Sequence, residues 1–235
     1  MNNLPDLTHR FSLATAIMAA ALGSISPVFG QATLVLSGTE YFQNFDDNAN
    51  GLPDGWSVRT GATASEVGTL ATFTSAHKDW GTPTGSFANY ASTTNNDGVA
   101  FVGTEPGATQ AAAINRAAGL RQTDAFGDPG AAFVLRIDNT LGVGNFELSL
   151  DLLMLSVQPR STVWTIDYAI GNAPGAFTVL VTYSDAGVFG AAHTNYSFGN
   201  VLNNQAENVW IRVAALSAST GSGSRDTFGI DNFRT

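Results

Sequence analysis

Alternation with a period of two residues limits what this chain can become more than any other feature. In the segment Asn145–Leu152, Phe146, Leu148, Leu150 and Leu152 fall on one side and Glu147, Ser149 and Asp151 on the other. That is the pattern of a half-buried antiparallel strand with one wet face. Strand-like segments recur at Thr33–Phe45, Trp56–Arg59, Val99–Gly103, Ala131–Asp138, Val163–Ile170, Phe177–Tyr183, Val209–Leu216 and Phe228–Phe233. Turns rich in Gly, Pro and Asn separate them, as at Gly171–Gly175. Helical periodicity is nearly absent, and the alanine-rich Ala108–Leu120 is the one candidate for a short helix. The expected fold is all-β: a two-sheet antiparallel β-sandwich of jelly-roll type.

The first thirty residues carry a different signature. His9-Arg10 precedes an apolar run from Phe11 to Leu22, and Gly23, Pro27 and a small-residue cleavage pattern near Gly30 follow. This is the order of a secretory signal peptide, with a buried N-terminal helix as the alternative reading. The apolar run is too short to span a bilayer of ~30 Å. The organisation predicted is a signal peptide at 1–30 and one β-sandwich domain at 31–235, working in the periplasm or outside the cell, with no membrane insertion after cleavage.

Composition narrows the partners. Cysteine is absent, so thiol catalysis, thiolate zinc sites and disulfides are excluded. Only 12% of residues are charged, the formal net charge is −9, and Lys78 is the only lysine. An acidic chain without a basic cluster is repelled by phosphate backbones and anionic lipid, which excludes nucleic acid and favours divalent cations.

A resemblance appears once the segments are in order. Asn44-Phe45-Asp46, Leu52-Pro53-Asp54-Gly55-Trp56 and Arg59-Thr60-Gly61 open it. Phe133–Asn139, Trp164–Tyr168, Val209–Val213 and Arg225–Phe233 continue it. Together they resemble a bacterial exported β-sandwich family of jelly-roll, concanavalin- or MAM-like type, whose members often carry PEP-CTERM or other variable sorting tails. The resemblance implies a non-catalytic extracellular module that binds glycan or an extracellular matrix polymer. No such tail follows Thr235, so release is expected rather than surface anchoring.

Asp46-Asp47-Asn48-Ala49-Asn50-Gly51-Leu52-Pro53-Asp54 matches the opening of a calcium loop. Asp46, Asn48 and Asn50 offer side-chain oxygens, Leu52 a carbonyl, and Asp54 a ligand through water. Ser57 stands where a closing glutamate belongs, which sets the expected affinity at about 10⁻⁴–10⁻³ M. The same residues equally form an ion-free turn. A second calcium reading joins the chain ends: Asp231 meets Asn44 or Asp46 where first and last strands lie side by side, as in jelly rolls that hold a structural calcium there. Trp80, in the polar stretch His77–Gly81, is the candidate exposed platform for a sugar ring. Trp164 and Trp210 read as core.

Enzyme readings are weaker. No nucleophile elbow, phosphate loop or dinucleotide fingerprint occurs. A glycoside hydrolase using Glu147, Asp151 and Asp167 on neighbouring strands is the alternative function, and a purely structural envelope or matrix protein is another.

Overall fold

The computed structural model describes residues 32–235, so the predicted signal peptide lies outside the described residues. Fifteen strands occur in chain order. The first eight are β1 (Phe42–Gln43), β2 (Trp56–Thr60), β3 (Thr69–Leu70), β4 (Phe73–His77), β5 (Ser86–Ala91), β6 (Arg116–Arg121), β7 (Ala132–Ile137) and β8 (Glu147–Ser156). The rest are β9 (Arg160–Ser161), β10 (Val163–Ile170), β11 (Thr178–Ser184), β12 (Gly190–Ser197), β13 (Val209–Ala214), β14 (Thr220–Gly221) and β15 (Thr227–Arg234). One helix, α1 (Gly107–Ala112), and a 3₁₀ turn at Asn48–Asn50 complete the described elements. None of the described helices is long and apolar enough to cross a membrane.

Seven strands form one sheet in the order β12-β8-β15-β6-β5-β4, with β1 also on β15. Six form the other, β11-β10-β13-β7-β2-β3, and β14 pairs β9 apart from both. Pairing among these strands is antiparallel except between β4 and β5. From β6 onward the long strands largely alternate between the two sheets, so each turn of chain closes over the core. This is the expected jelly-roll β-sandwich.

Period-two faces explain the packing. Leu148, Leu150 and Leu152 of β8 point inward with Phe228 and Ile230 of β15, against Phe133, Leu135, Trp164 and Ile211 of the opposite sheet. Trp164 stacks on Phe228 at 3.9 Å between ring centres, and Phe87 meets Phe133 edge-on at 5.3 Å. Both contacts cross between sheets and fix their spacing.

Each outer face is covered by chain that the alternation does not reveal. Over the seven-stranded sheet, Trp80, Phe101 and Phe189 pack on Tyr90, Ala117, Leu153 and Leu155. Over the six-stranded sheet, Ala62, Val67 and Phe177 pack on Val134 and Trp210. The strand expected at Val99–Gly103 therefore does not form: Phe101 turns down onto Trp80 while Val99 and Val102 face solvent. Ala108–Leu120 divides, its first half forming α1 and its second β6. Thr33–Phe45 shrinks to β1 and a bridge from Leu34 to Ile137. The edge strand β12, with its small and polar side chains, had no apolar alternation to announce it.

The two ends of the described chain meet. Phe42 pairs with Arg234 and Gln43 with Phe233, and Tyr41 and Thr235 exchange backbone hydrogen bonds of 2.7 and 3.0 Å. This adjacency, expected from the jelly roll, positions the site below.

Candidate functional site

Where β1 joins β15, two irregularities turn side chains outward. Phe45 adopts φ +56° with its ring fully buried against Trp56 at 4.9 Å. Such strain in a bulky residue persists only where packing enforces it, and it leaves the flanking Asn44 and Asp46 toward solvent. On β15 the register with β8 slips between Asp231 and Arg234, and Asn232 sits there at φ +48°. Asparagine tolerates this left-handed conformation, and a bulge re-aims its side chain.

The long connection from β5 to β6 closes the other side. Asn95 Oδ1 accepts backbone N–H bonds from Asp97 and Val99, both at 2.9 Å. Asn96 Oδ1 accepts from Ile114 at 2.9 Å and Asn115 at 3.0 Å. A cleft of about 300 Å³ results, lined by Phe42, Asn44, Asp46, Asn95, Asn96, Gly98, Ile114, Asn115 and Asn232. Phe42 is 48% exposed, its ring held by the Arg234 guanidinium at 4.9 Å.

The hydrogen-bond inventory of these amides is uneven. The oxygens of Asn95 and Asn96 are taken by backbone, which fixes their rotamers, while their Nδ2 groups donate to no described residue. Asn115 donates Nδ2 to Thr94 at 2.8 Å, and Asn232 donates Nδ2 to Asp151 at 2.8 Å. Their Oδ1 atoms accept nothing from described residues. Two oriented donors and two oriented acceptors therefore line one cleft beside a half-exposed aromatic ring.

Carboxylates lie behind them. Asp231 is buried, accepting from Ser92 Oγ at 2.6 Å and from the Asn232 N–H at 2.7 Å. Burial chiefly, then the charges of Asp46 and Asp151, push its pKa up to about 7. Asp46 accepts from the Arg116 N–H at 2.7 Å and Asn44 Nδ2 at 2.6 Å, and burial again raises its carboxyl above the usual range. Asp46 and Asp231 thus feel each other across the joined ends.

The remaining predicted calcium ligands do not join that pair. Asn48 is buried in the 3₁₀ turn with both side-chain polar atoms unpartnered, Asn50 is exposed, Leu52 packs on the core, and Asp54 acts on Tyr41. Among the described residues, no three His, Cys, Asp or Glu side chains converge as a metal-holding group.

Two further expectations are corrected. Trp80 is not an exposed platform: it is 1% exposed, donates Nε1 to Ala91 O at 2.9 Å and lies against Phe101 and Phe189. Its apolar bulk outweighs the polar sequence around it. Asp167 does not neighbour Glu147 and Asp151: it lies in the opposite sheet, buried and ion-paired with Arg212 at 2.7 Å, while Asp151 bonds His193 at 2.7 Å. Trp164 is core as expected, whereas Trp210 is buried on the outer face, under the Arg136 guanidinium at 5.0 Å. Sequence reasoning missed Phe42, Asn95, Asn96, Asn115 and Asn232. The Asn95-Asn96 doublet was the only local signal, because the chain topology alone brings these positions together.

No family model matches the chain, and no curated protein sequence matches it. Among solved structures, it is similar to the CBM22-1–GH10 modules of a Clostridium thermocellum endo-1,4-β-D-xylanase complexed with xylohexaose, at TM-score 0.43 and 10% identity. The match covers 83% of this chain and spans 27% of that one. The K1 cleaved adhesin domain of Lys-gingipain from Porphyromonas gingivalis W83 gives TM-score 0.43 and 12% identity over 84% of this chain and 97% of that one. A Stig cyclase from Fischerella sp. TAU gives 0.42 and 14% over 83% and 87%.

Proposed function

We propose that this chain is an exported, non-catalytic module that binds glycan in the cleft between Phe42 and the asparagines of the β5–β6 connection. The observation that carries the reading is the set of fixed but unpaired amide groups beside an exposed ring. Sugars present apolar C–H faces and hydroxyls that both donate and accept, so an aromatic wall with oriented donors and acceptors suits them. Rotamers held by backbone bonds cost little entropy on binding.

The test is titration calorimetry with neutral oligosaccharides from plant and bacterial polymers. Phe42→Ala removes the ring. Asn96→Asp keeps the oxygen that holds the loop and removes the free donor. Each is expected to weaken binding about tenfold, ~1.4 kcal/mol. Binding that is indifferent to both variants contradicts the site.

Calcium belongs to the same proposal, at the joined ends rather than along the loop. Asp46 and Asp231 offer hard oxygens whose mutual repulsion a divalent cation would relieve. A ligand of the native state raises the melting point, so millimolar calcium should raise it and a chelator lower it. An unchanged midpoint removes calcium from the account. Fractionation of the expressing cell tests export, with the protein expected outside the cytoplasm.

A further inference from the structure

We propose that the cleft extends into a second one as a single groove, and that Asp47 makes this groove prefer a polysaccharide bearing free amines. The inference rests on the glycan-binding reading and adds the class of sugar. A neighbouring cavity of about 630 Å³ shares Asp46 and Ile114 with the first and is further lined by Asp47, His77, Asn89 and Arg116. Ile114, 67% exposed, stands between them.

Counted by residue type, this second cavity has two acids and two bases. Hydrogen bonding leaves the Arg116 charge in place but takes up the donors of both bases. Arg116 donates Nε to Asn89 Oδ1 at 2.7 Å, and Nη1 to the carbonyls of Gln110 and Ala113 at 2.9 and 3.1 Å. Its Nη2 donates to His77 Nδ1 at 2.8 Å and Asn89 O at 3.2 Å. A guanidinium has five N–H groups, and here all five are engaged. Because His77 Nδ1 accepts from Arg116, its Nε2 carries the proton and donates to Asp79 at 2.8 Å. Neither base keeps a donor for an anionic ligand.

The acids are placed differently. Asp47 is exposed and its carboxylate accepts no hydrogen bond from the described residues. Asp46 stands next to it, and the two charges act on each other. On the far rim, Arg234 is paired with Glu40. With a net charge of −9 behind it, the groove repels uronate and sulfated chains and attracts an ammonium group.

The experiment compares three probes in low-salt buffer containing chelator: a β-1,4-linked glucosamine oligomer, its N-acetylated counterpart and an oligogalacturonate. The free-amine oligomer is expected to bind about tenfold more tightly than the acetylated one, with no detectable binding of the uronate. Asp47→Asn should bring the ratio of the first two to about one, as should high salt. Circular dichroism and the melting point verify that the variant is folded. Equal affinities in the native protein, or a preference that survives Asp47→Asn, overturn the inference. Phe42→Ala separates the two levels. If it weakens acetylated-oligomer binding while no amine preference exists, the glycan reading stands and this inference falls. If it weakens no oligomer, the glycan reading falls and any amine preference is surface attraction.

Discussion

The outer face of the six-stranded sheet and the groove beside the joined ends are both rich in polar side chains, yet their hydrogen-bonding states are opposite. Arg212 and Asp167 are both fully buried and form a two-pronged pair of 2.8 and 2.7 Å. Arg212 also donates to Glu66 O at 2.7 Å and Thr63 O at 3.1 Å, and covers Phe177 at 3.3 Å. Every strong group there has a partner within the chain, so the knot pins the loop at 62–67 and has nothing left to offer a ligand. In the groove, Asn95, Asn96, Asn115 and Asn232 are held in place by one end and open at the other, and the exposed Asp47 carboxylate accepts from no described residue. Unsatisfied, oriented capacity, rather than polarity, distinguishes a site from a structural network.

The comparison can be broken most severely at the knot. Asp167→Ala strands a buried guanidinium and should cost about 3–5 kcal/mol in urea unfolding, without changing glycan affinity in the folded fraction. Replacing both partners, Asp167→Leu with Arg212→Met, should cost clearly less than the single variant. A single variant as stable as wild type would show that the knot is not structural. Trp80→Ala comes next, at about 3 kcal/mol, the low end for a tryptophan because its cluster is a satellite of the main core. Retained binding in that variant sharpens the correction made above, and lost binding in a folded protein would reverse it.

Protonation gives the smallest effect. Asp231 has a raised folded pKa of about 7 against about 3.9 unfolded, so the native state holds its proton more tightly. Its contribution is complete below about pH 4, falls as pH rises toward 7, and is absent above. Asp226, also lifted to about 7 chiefly by burial, adds in the same direction, while Asp128, held low by Ser219 and Arg225 against the pull of burial, opposes it on acidification. The difference between wild type and Asp231→Asn isolates the first. Between pH 5 and pH 8 the wild type should lose about 5–10 °C more in melting temperature than the variant, because two pH units below the folded value correspond to ~2.7 kcal/mol in a chain of this size. Parallel profiles would mean that Asp231 titrates normally.

Much of the sandwich was legible because burial on one face writes a period of two. Phe146 to Leu152 announced β8, and Val209 to Leu216 announced β13. The outer coverings were not legible, since Trp80 is a single apolar residue in a polar stretch and Phe101 and Phe177 stood in segments that read as strands, Val99–Gly103 and Phe177–Tyr183. The candidate site was also hard to read from the sequence. The pattern Asp46–Asp54 offers calcium ligands by spacing, and in the fold a 3₁₀ turn at Asn48–Asn50 buries Asn48. Asp46 and Asp231 are linked by topology rather than spacing, through the effect of the Asp46 charge on Asp231. Phe42, Asn95, Asn115 and Asn232 are far apart in sequence, and the pairing of β1 with β15 is what makes them neighbours.

The central claim is that the open amide valences beside Phe42 take up sugar hydroxyls. Titrating a neutral oligosaccharide into isotopically labelled protein, and following the side-chain amide signals of asparagine by NMR, reads those groups directly. The expected result is a saturable shift of the Asn95 and Asn96 amide protons, together with the ring of Phe42 and the methyls of Ile114. Shifts confined to the Trp210 face, with these four residues silent at saturation, would contradict the account.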